Sequence, residues 1–132
     1  METLLIDDNS TSVFLTEMLL KREGFSDKIR SFLAAEEALT YLEQGLPVRV
    51  PEVIFLDLNM PVMDGWDFLE ALKPHEGELS SRCRIYVLTS SLAPSDAARA
   101  KEYTLVSGLI HKPVDSQMLQ VIRAEMSEQD GA

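Results

Sequence analysis

The chain holds one cysteine, Cys83, so no disulfide can form within it. That suits a reducing compartment, and Cys83, just before an apolar run, reads as a small apolar filler. No apolar stretch approaches the ~20 residues of a membrane span. The N-terminus lacks the basic region and apolar core of a signal peptide, so a cytoplasmic location is expected. Positive charge is scarce: 12 Lys and Arg stand against 22 Asp and Glu, a net charge of −10. A surface of that sign disfavours nucleic acid and anionic membrane as partners. The two histidines, His75 and His111, have no histidine or cysteine partner at metal-ligand spacing and read as structural or solvated. Aromatics are few, and Trp66 and Phe68 fall where a core is expected rather than a ligand platform. There is no internal repeat and no long linker. With 132 residues the chain is sized for one compact domain that folds without staples.

Five short apolar runs alternate with five helix-like segments. Strands are expected at about 3–7, 28–32, 52–57, 84–89 and 107–111, several of them apolar on both sides of the pleat, as in a covered parallel sheet. The first helix starts at an Asn9 or Ser10 cap, shows Val13, Phe14, Glu17, Met18 and Leu20-Lys21 on its face, and ends at Gly24. The second runs from Ala34 or Ala35 to about Gln44, with Gly45 and Pro47 as stops. The third opens at Asp64-Gly65, carries Trp66, Phe68, Leu69 and Leu72, and stops before Pro74. The fourth follows Pro94-Ser95-Asp96 through Ala97–Tyr103. The fifth follows an Asp115 or Ser116 cap, with Met118, Leu119, Val121, Ile122 and Met126 on or near one face. Residues 73–84 read as a long polar connection, and residues 127–132 as a polar, fraying tail. The alternation predicts an α/β domain, a parallel sheet with helices on both faces.

Ligands in such sheets bind beyond the carboxyl ends of the strands. Asp7, Asp8, Asp57, Thr89 and Lys112 all stand at carboxyl ends. Converging carboxylates repel one another unless a cation joins them, and oxygen-only ligands suit Mg²⁺. Asp57 is open to three readings: a cap, a metal ligand, or a nucleophile. A carboxylate attacks phosphorus only when the phosphoryl charge is neutralised, which a metal and an ammonium together achieve. Lys112 can supply the ammonium and Thr89 a hydroxyl donor. Singly, each has a bland reading as a surface lysine or a strand-end cap; jointly, the bland readings fail.

The order of these groups resembles the receiver domain of bacterial two-component response regulators, in its stand-alone, chemotaxis-receiver-like form. The resemblance is carried by Ile6-Asp7-Asp8, Leu56-Asp57-Leu58-Asn59-Met60-Pro61 with Asp64-Gly65, Leu88-Thr89-Ser90, Lys112-Pro113 and Glu37-Ala38-Leu39, over about residues 3–126. It implies a flavodoxin-like, doubly wound (βα)5 fold with strand order 2-1-3-4-5, and a single receiver domain over 1–126. It implies that Asp57 accepts a phosphoryl group from a phosphohistidine on a sensor histidine kinase or histidine phosphotransfer protein. Mg²⁺ would be held by Asp8, Asp57 and the carbonyl of Asn59, with Asp7 acting through a metal-bound water. Lys112, preceding a cis peptide bond to Pro113, would pair with phosphoryl oxygens, and Thr89 would swing to bond one.

The phosphorylated state would then present the fourth helix, fifth strand and fifth helix to a downstream protein target. Where many receivers carry an aromatic, three residues before the lysine, this chain has Leu109, so an in–out ring switch is not expected. Asn59 and Ser91 correspond to positions that tune water attack in the family this chain resembles; both are short and polar, so the resemblance implies slow self-dephosphorylation. Such a switch is not an enzyme for outside substrates. Two rivals remain at this level. A phosphatase of the haloacid-dehalogenase type would need a second aspartate at position 59, where Asn59 stands. A phosphate-independent interaction module would have no need for Asp7, Asp8, Asp57, Thr89 and Lys112 together.

Overall fold

A computed structural model describes residues 1–91 and 93–131, with the backbone alone for 128–131. Five strands form one parallel sheet: β1 Glu2–Ile6, β2 Lys28–Phe32, β3 Val53–Asp57, β4 Arg84–Thr89 and β5 Val106–His111. Their order is β2-β1-β3-β4-β5, the doubly wound arrangement expected. All five residues of β3 are buried, because it lies centrally with helices over both faces. At one edge β2 exposes Lys28 and Arg30, and its sequence is correspondingly mixed.

The helices are α1 Ser10–Arg22, α2 Ala35–Gly45, α3 Gly65–Leu72, α4 Glu76–Leu79, α5 Pro94–Ala100 and α6 Ser116–Gly131. Asn9 caps α1 by accepting from the Ser12 N–H at 2.9 Å. At its other end Gly24, at φ +60°, sits where a left-handed residue is needed. The N–H groups of Gly24 and Phe25 return to the carbonyls of Lys21 and Leu20, closing a Schellman turn. Two core layers result, one on each face of the sheet. Leu4, Ile6, Ile54, Leu56, Val87, Trp66 and Phe68 belong to one, and Leu5, Val53, Phe55, Tyr86, Leu88 and Ile110 to the other.

The structure departs from several of these readings. The polar connection 73–84 carries helical turns of its own: a 3₁₀ turn, Lys73–His75, leads into the one-turn α4. Leu79 is the reason, since it is fully buried and pins the segment to the core. The helix expected to reach Tyr103 ends at Ala100. On α1, Val13 and Leu20, seven residues apart and therefore on one stripe, face inward, while Phe14 is 60% and Met18 54% exposed. Val121 on α6 is exposed as well. The backbone of α6 remains helical to Gly131, through most of the stretch read as a tail, and Ala132 lies outside the described residues. No described helix is long and apolar enough to cross a membrane.

Candidate functional site

The strand order reverses between β1 and β3, the place at which sheets of this kind form a ligand crevice beyond the strands' carboxyl ends. Asp7 follows β1 directly and Asp57 ends β3; β4 ends in Thr89, and Lys112 follows β5. The register sets Asp57 beside Leu88 and Thr89 beside His111. Backbone bonds then fix the loop roots: Lys112 N–H to the Thr89 carbonyl at 2.8 Å, and Leu58 N–H to that of Leu88 at 3.2 Å. The peptide bond between Lys112 and Pro113 is cis.

Carboxylate oxygens of Asp7, Asp8 and Asp57 lie within 4.8 Å of one another, the one such cluster among the described residues. Asp7 and Asp57 are 2% and 4% exposed, whereas Asp8 opens to solvent. The Lys112 ammonium lies 2.8 Å from Asp7 Oδ2 and 3.4 Å from Asp57 Oδ1. The other oxygen of Asp7 accepts the Asn9 N–H at 3.0 Å. Asn9 thus orients Asp7 and caps α1 at once, a role that the sequence signalled only as a cap.

Burial, with the charge of Asp7 beside it, raises the Asp57 pKa from the usual 3.8 to about 6; Lys112 and the Asn59 N–H pull the other way. For Lys112 burial works against the charge. The hydrogen bond to Asp7 and the charges of Asp57 and Asp7 outweigh it, so its pKa lies above the ordinary lysine value. The ammonium therefore occupies the crevice as a counter-ion to clustered carboxylates. An all-oxygen set with one member open to solvent also fits a hard divalent cation that retains water, as Mg²⁺ does.

Thr89 is buried, and its hydroxyl is engaged locally. It donates to the Ser91 carbonyl at 2.7 Å and accepts the Ser91 N–H at 3.1 Å. Asn59 lies exposed in the loop after β3, with its N–H directed to Asp57. In that loop the Met63 N–H returns to the Pro61 carbonyl at 2.8 Å around Val62, whose φ is +69°. A β-branched residue there stores about 1–3 kcal/mol of strain, and no sequence signal marks it. Asp64 and Asp67 form a reciprocal capping box that starts α3. Leu109, on β5, packs partly buried against the core layer that holds Trp66 and Tyr103.

Gly65 closes the loop against β3. A Cβ there would stand 2.8 Å from the Asp57 carbonyl oxygen and 2.9 Å from Leu58 Cα, both backbone atoms that cannot yield cheaply. Gly65→Ala is therefore expected to cost about 1–3 kcal/mol in urea unfolding. It should also slow any chemistry at Asp57, whose backbone must move to relieve the clash. Unchanged stability would show that the loop has more freedom than these distances allow.

A family model described as the response regulator receiver domain matches residues 3–123. The chain is 31% identical over 127 residues to a probable methanogenesis regulatory protein, FilR2, of Methanothrix harundinacea, covering 95% of this chain and 80% of that protein. It is 28% identical over 123 residues to hybrid signal transduction histidine kinase C of Dictyostelium discoideum, covering 90% of this chain but 10% of that much longer protein. A two-component response regulator from Cytophaga hutchinsonii superposes with a TM-score of 0.89 at 26% identity, over 96% of each chain.

Proposed function

The chain belongs to the response regulator receiver domain family, and from that premise we propose that Asp57 is its phosphoacceptor in a histidine-to-aspartate relay. An oxygen of Asp57 attacks the phosphorus of a phosphohistidine on a sensor histidine kinase or histidine phosphotransfer protein. The bond from phosphorus to the histidine nitrogen breaks, and that nitrogen keeps the electron pair. The observation that carries this reading is the Lys112 ammonium, 2.8 Å from Asp7 and 3.4 Å from Asp57 beside three clustered carboxylates. It is placed to follow negative charge from the carboxylate onto phosphoryl oxygens.

Asp7, Asp8, Asp57 and the Asn59 carbonyl would hold Mg²⁺, which supplies charge neutralisation for the incoming phosphoryl group. Thr89 leaves its bonds to Ser91 and donates to a phosphoryl oxygen. The accompanying loop movement changes the face of α5, β5 and α6 that a downstream protein reads. Receiver domains are signalling modules, and in this reading the chain turns over no outside substrate; water slowly removes its own aspartyl phosphate. We assign the receiver to residues 1–126 and a cytoplasmic setting to the protein.

The test is intact-protein mass after incubation with acetyl phosphate and Mg²⁺, and after mixing with a phosphorylated histidine kinase. One added phosphoryl group, absent when EDTA replaces Mg²⁺, is the expected result. No adduct from either donor would discard the relay and leave an interaction module on this fold.

A further inference from the structure

We propose that the phosphorylation state is transmitted through a cation–aromatic stack, Arg99–Trp66–Tyr103–Lys73, which ties α3 to α5 and the turn after it; this rests on Asp57 being the phosphoacceptor. Trp66, the chain's single tryptophan, lies in the first turn of α3. Its ring stacks on Tyr103, with centroids 5.9 Å apart and planes at 26°. The Arg99 guanidinium, on α5, lies 4.5 Å from the Trp66 ring centre, and the Lys73 ammonium 5.2 Å from that of Tyr103. Glu70 closes the far end, accepting from the Tyr103 hydroxyl at 3.0 Å and pairing with Lys73 at 3.2 Å. Both rings are buried, while Arg99 is exposed.

The stack joins the two loops that leave the crevice. One loop is pinned: Gly65, adjacent to Trp66, donates its N–H to the Leu58 carbonyl at 3.0 Å and lies against the Asp57 backbone without room for a Cβ. The other depends on the Thr89 hydroxyl, which holds the Ser91 N–H and carbonyl together. That segment leads directly into α5 at Pro94. When Thr89 turns to a phosphoryl oxygen, Ser91 loses both bonds and the root of α5 is freed. Because α3 stays pinned at Gly65, the displacement falls on the seam between Trp66 and Arg99. Leu109 offers no ring to swing; Trp66 and Tyr103, in the core layer against which Leu109 packs, supply a stacked aromatic pair between α3 and the turn after α5.

Contacts made in one state only bias the equilibrium, and the bias is reciprocal. Arg99→Met keeps an apolar stem but removes the charge over Trp66. Loss of an exposed cation–π contact then raises the share of the phosphorylation-ready state, so adduct formation from acetyl phosphate should be about two- to fivefold faster. Arg99→Lys should return most of the way to the native rate. Trp66 emission should change in step with adduct mass in the native chain, and much less in Arg99→Met.

The experiment follows intact mass and tryptophan emission in parallel on the full chain with acetyl phosphate and Mg²⁺. Adduct formation without an emission change, or at equal rates in native and Arg99→Met chains, would overturn the stack's role while leaving the phosphoacceptor reading intact. Absence of adduct would instead remove the phosphoacceptor reading, and the stack's role with it.

Discussion

Asp57→Asn is expected to abolish the phosphoryl adduct completely while making the metal-free protein more stable at neutral pH. The amide keeps the size of the side chain but cannot act as the nucleophile, so loss of the adduct is absolute rather than partial. The stability gain follows from the pKa. Burial, then the charge of Asp7, hold the Asp57 carboxyl at about 6 against an ordinary 3.8. The folded state therefore binds this proton more tightly than the unfolded chain does. As pH rises from about 4 through about 6, the native protein loses stability relative to Asp57→Asn; above that window the difference is constant. A shift of this size corresponds to at most about 3 kcal/mol, and solvent reaching the crevice reduces the expected difference to about 1–2 kcal/mol.

Urea unfolding of both proteins in EDTA, from pH 4 to pH 8, measures it. A native protein that gains on the variant as pH rises would refute this account of the carboxylate. Added Mg²⁺ should narrow the gap above pH 6, because the ionised native site gains a ligand that the unfolded chain does not bind.

Lys112→Met is expected to produce the largest stability loss of any change at the crevice, and Mg²⁺ is expected to reverse much of it. Removing the ammonium leaves Asp7, 2% exposed, with the Asn9 N–H as its one described hydrogen-bond partner and with Asp57 repelling it. Breaking a buried pair from one side costs about 3–5 kcal/mol, and the open side of this crevice places the expected cost near about 3 kcal/mol in EDTA. A divalent ion entering the all-carboxylate crevice replaces the missing charge, so the loss should shrink in millimolar Mg²⁺. Phosphoryl transfer should fall by orders of magnitude in either condition, because no ammonium remains to follow charge onto the phosphoryl oxygens. An equal loss with and without Mg²⁺ would mean that the lysine stem, rather than its charge, holds this end of the sheet.

Much of this molecule was legible because its signals are local. Val53-Ile54-Phe55-Leu56 is apolar at every position, which fits a central strand covered on both faces, and Asp57 stands at its end. Asn9, Gly24, Asp64 and Asp115 mark helix ends through bonds that span at most a few residues. Phe14 and Met18 misled for the same reason: hydrophobicity alone does not tell which stripe of an amphipathic helix meets the sheet. In residues 73–84 two buried apolar residues, Leu79 and Cys83, hold a segment whose other residues are mostly polar, and two positions are too few to show a periodicity.

By itself the sequence determined the alternation of strands and helices, and hence a parallel α/β sheet with polar groups at the carboxyl ends of its strands. It also determined the kinds of group available there: carboxylates from Asp7, Asp8 and Asp57, a hydroxyl from Thr89 and an ammonium from Lys112. The tertiary structure alone decided how they are shared out. Lys112 lies nearer Asp7 than Asp57, Thr89 is turned to Ser91, and Trp66 meets Arg99 and Tyr103 across two helical segments. Periodicity and capping act over one or two turns of chain, whereas the contacts of Lys112 and Trp66 join residues tens of positions apart. Their geometry depends on sheet register and loop closure, which are set only when the whole chain packs.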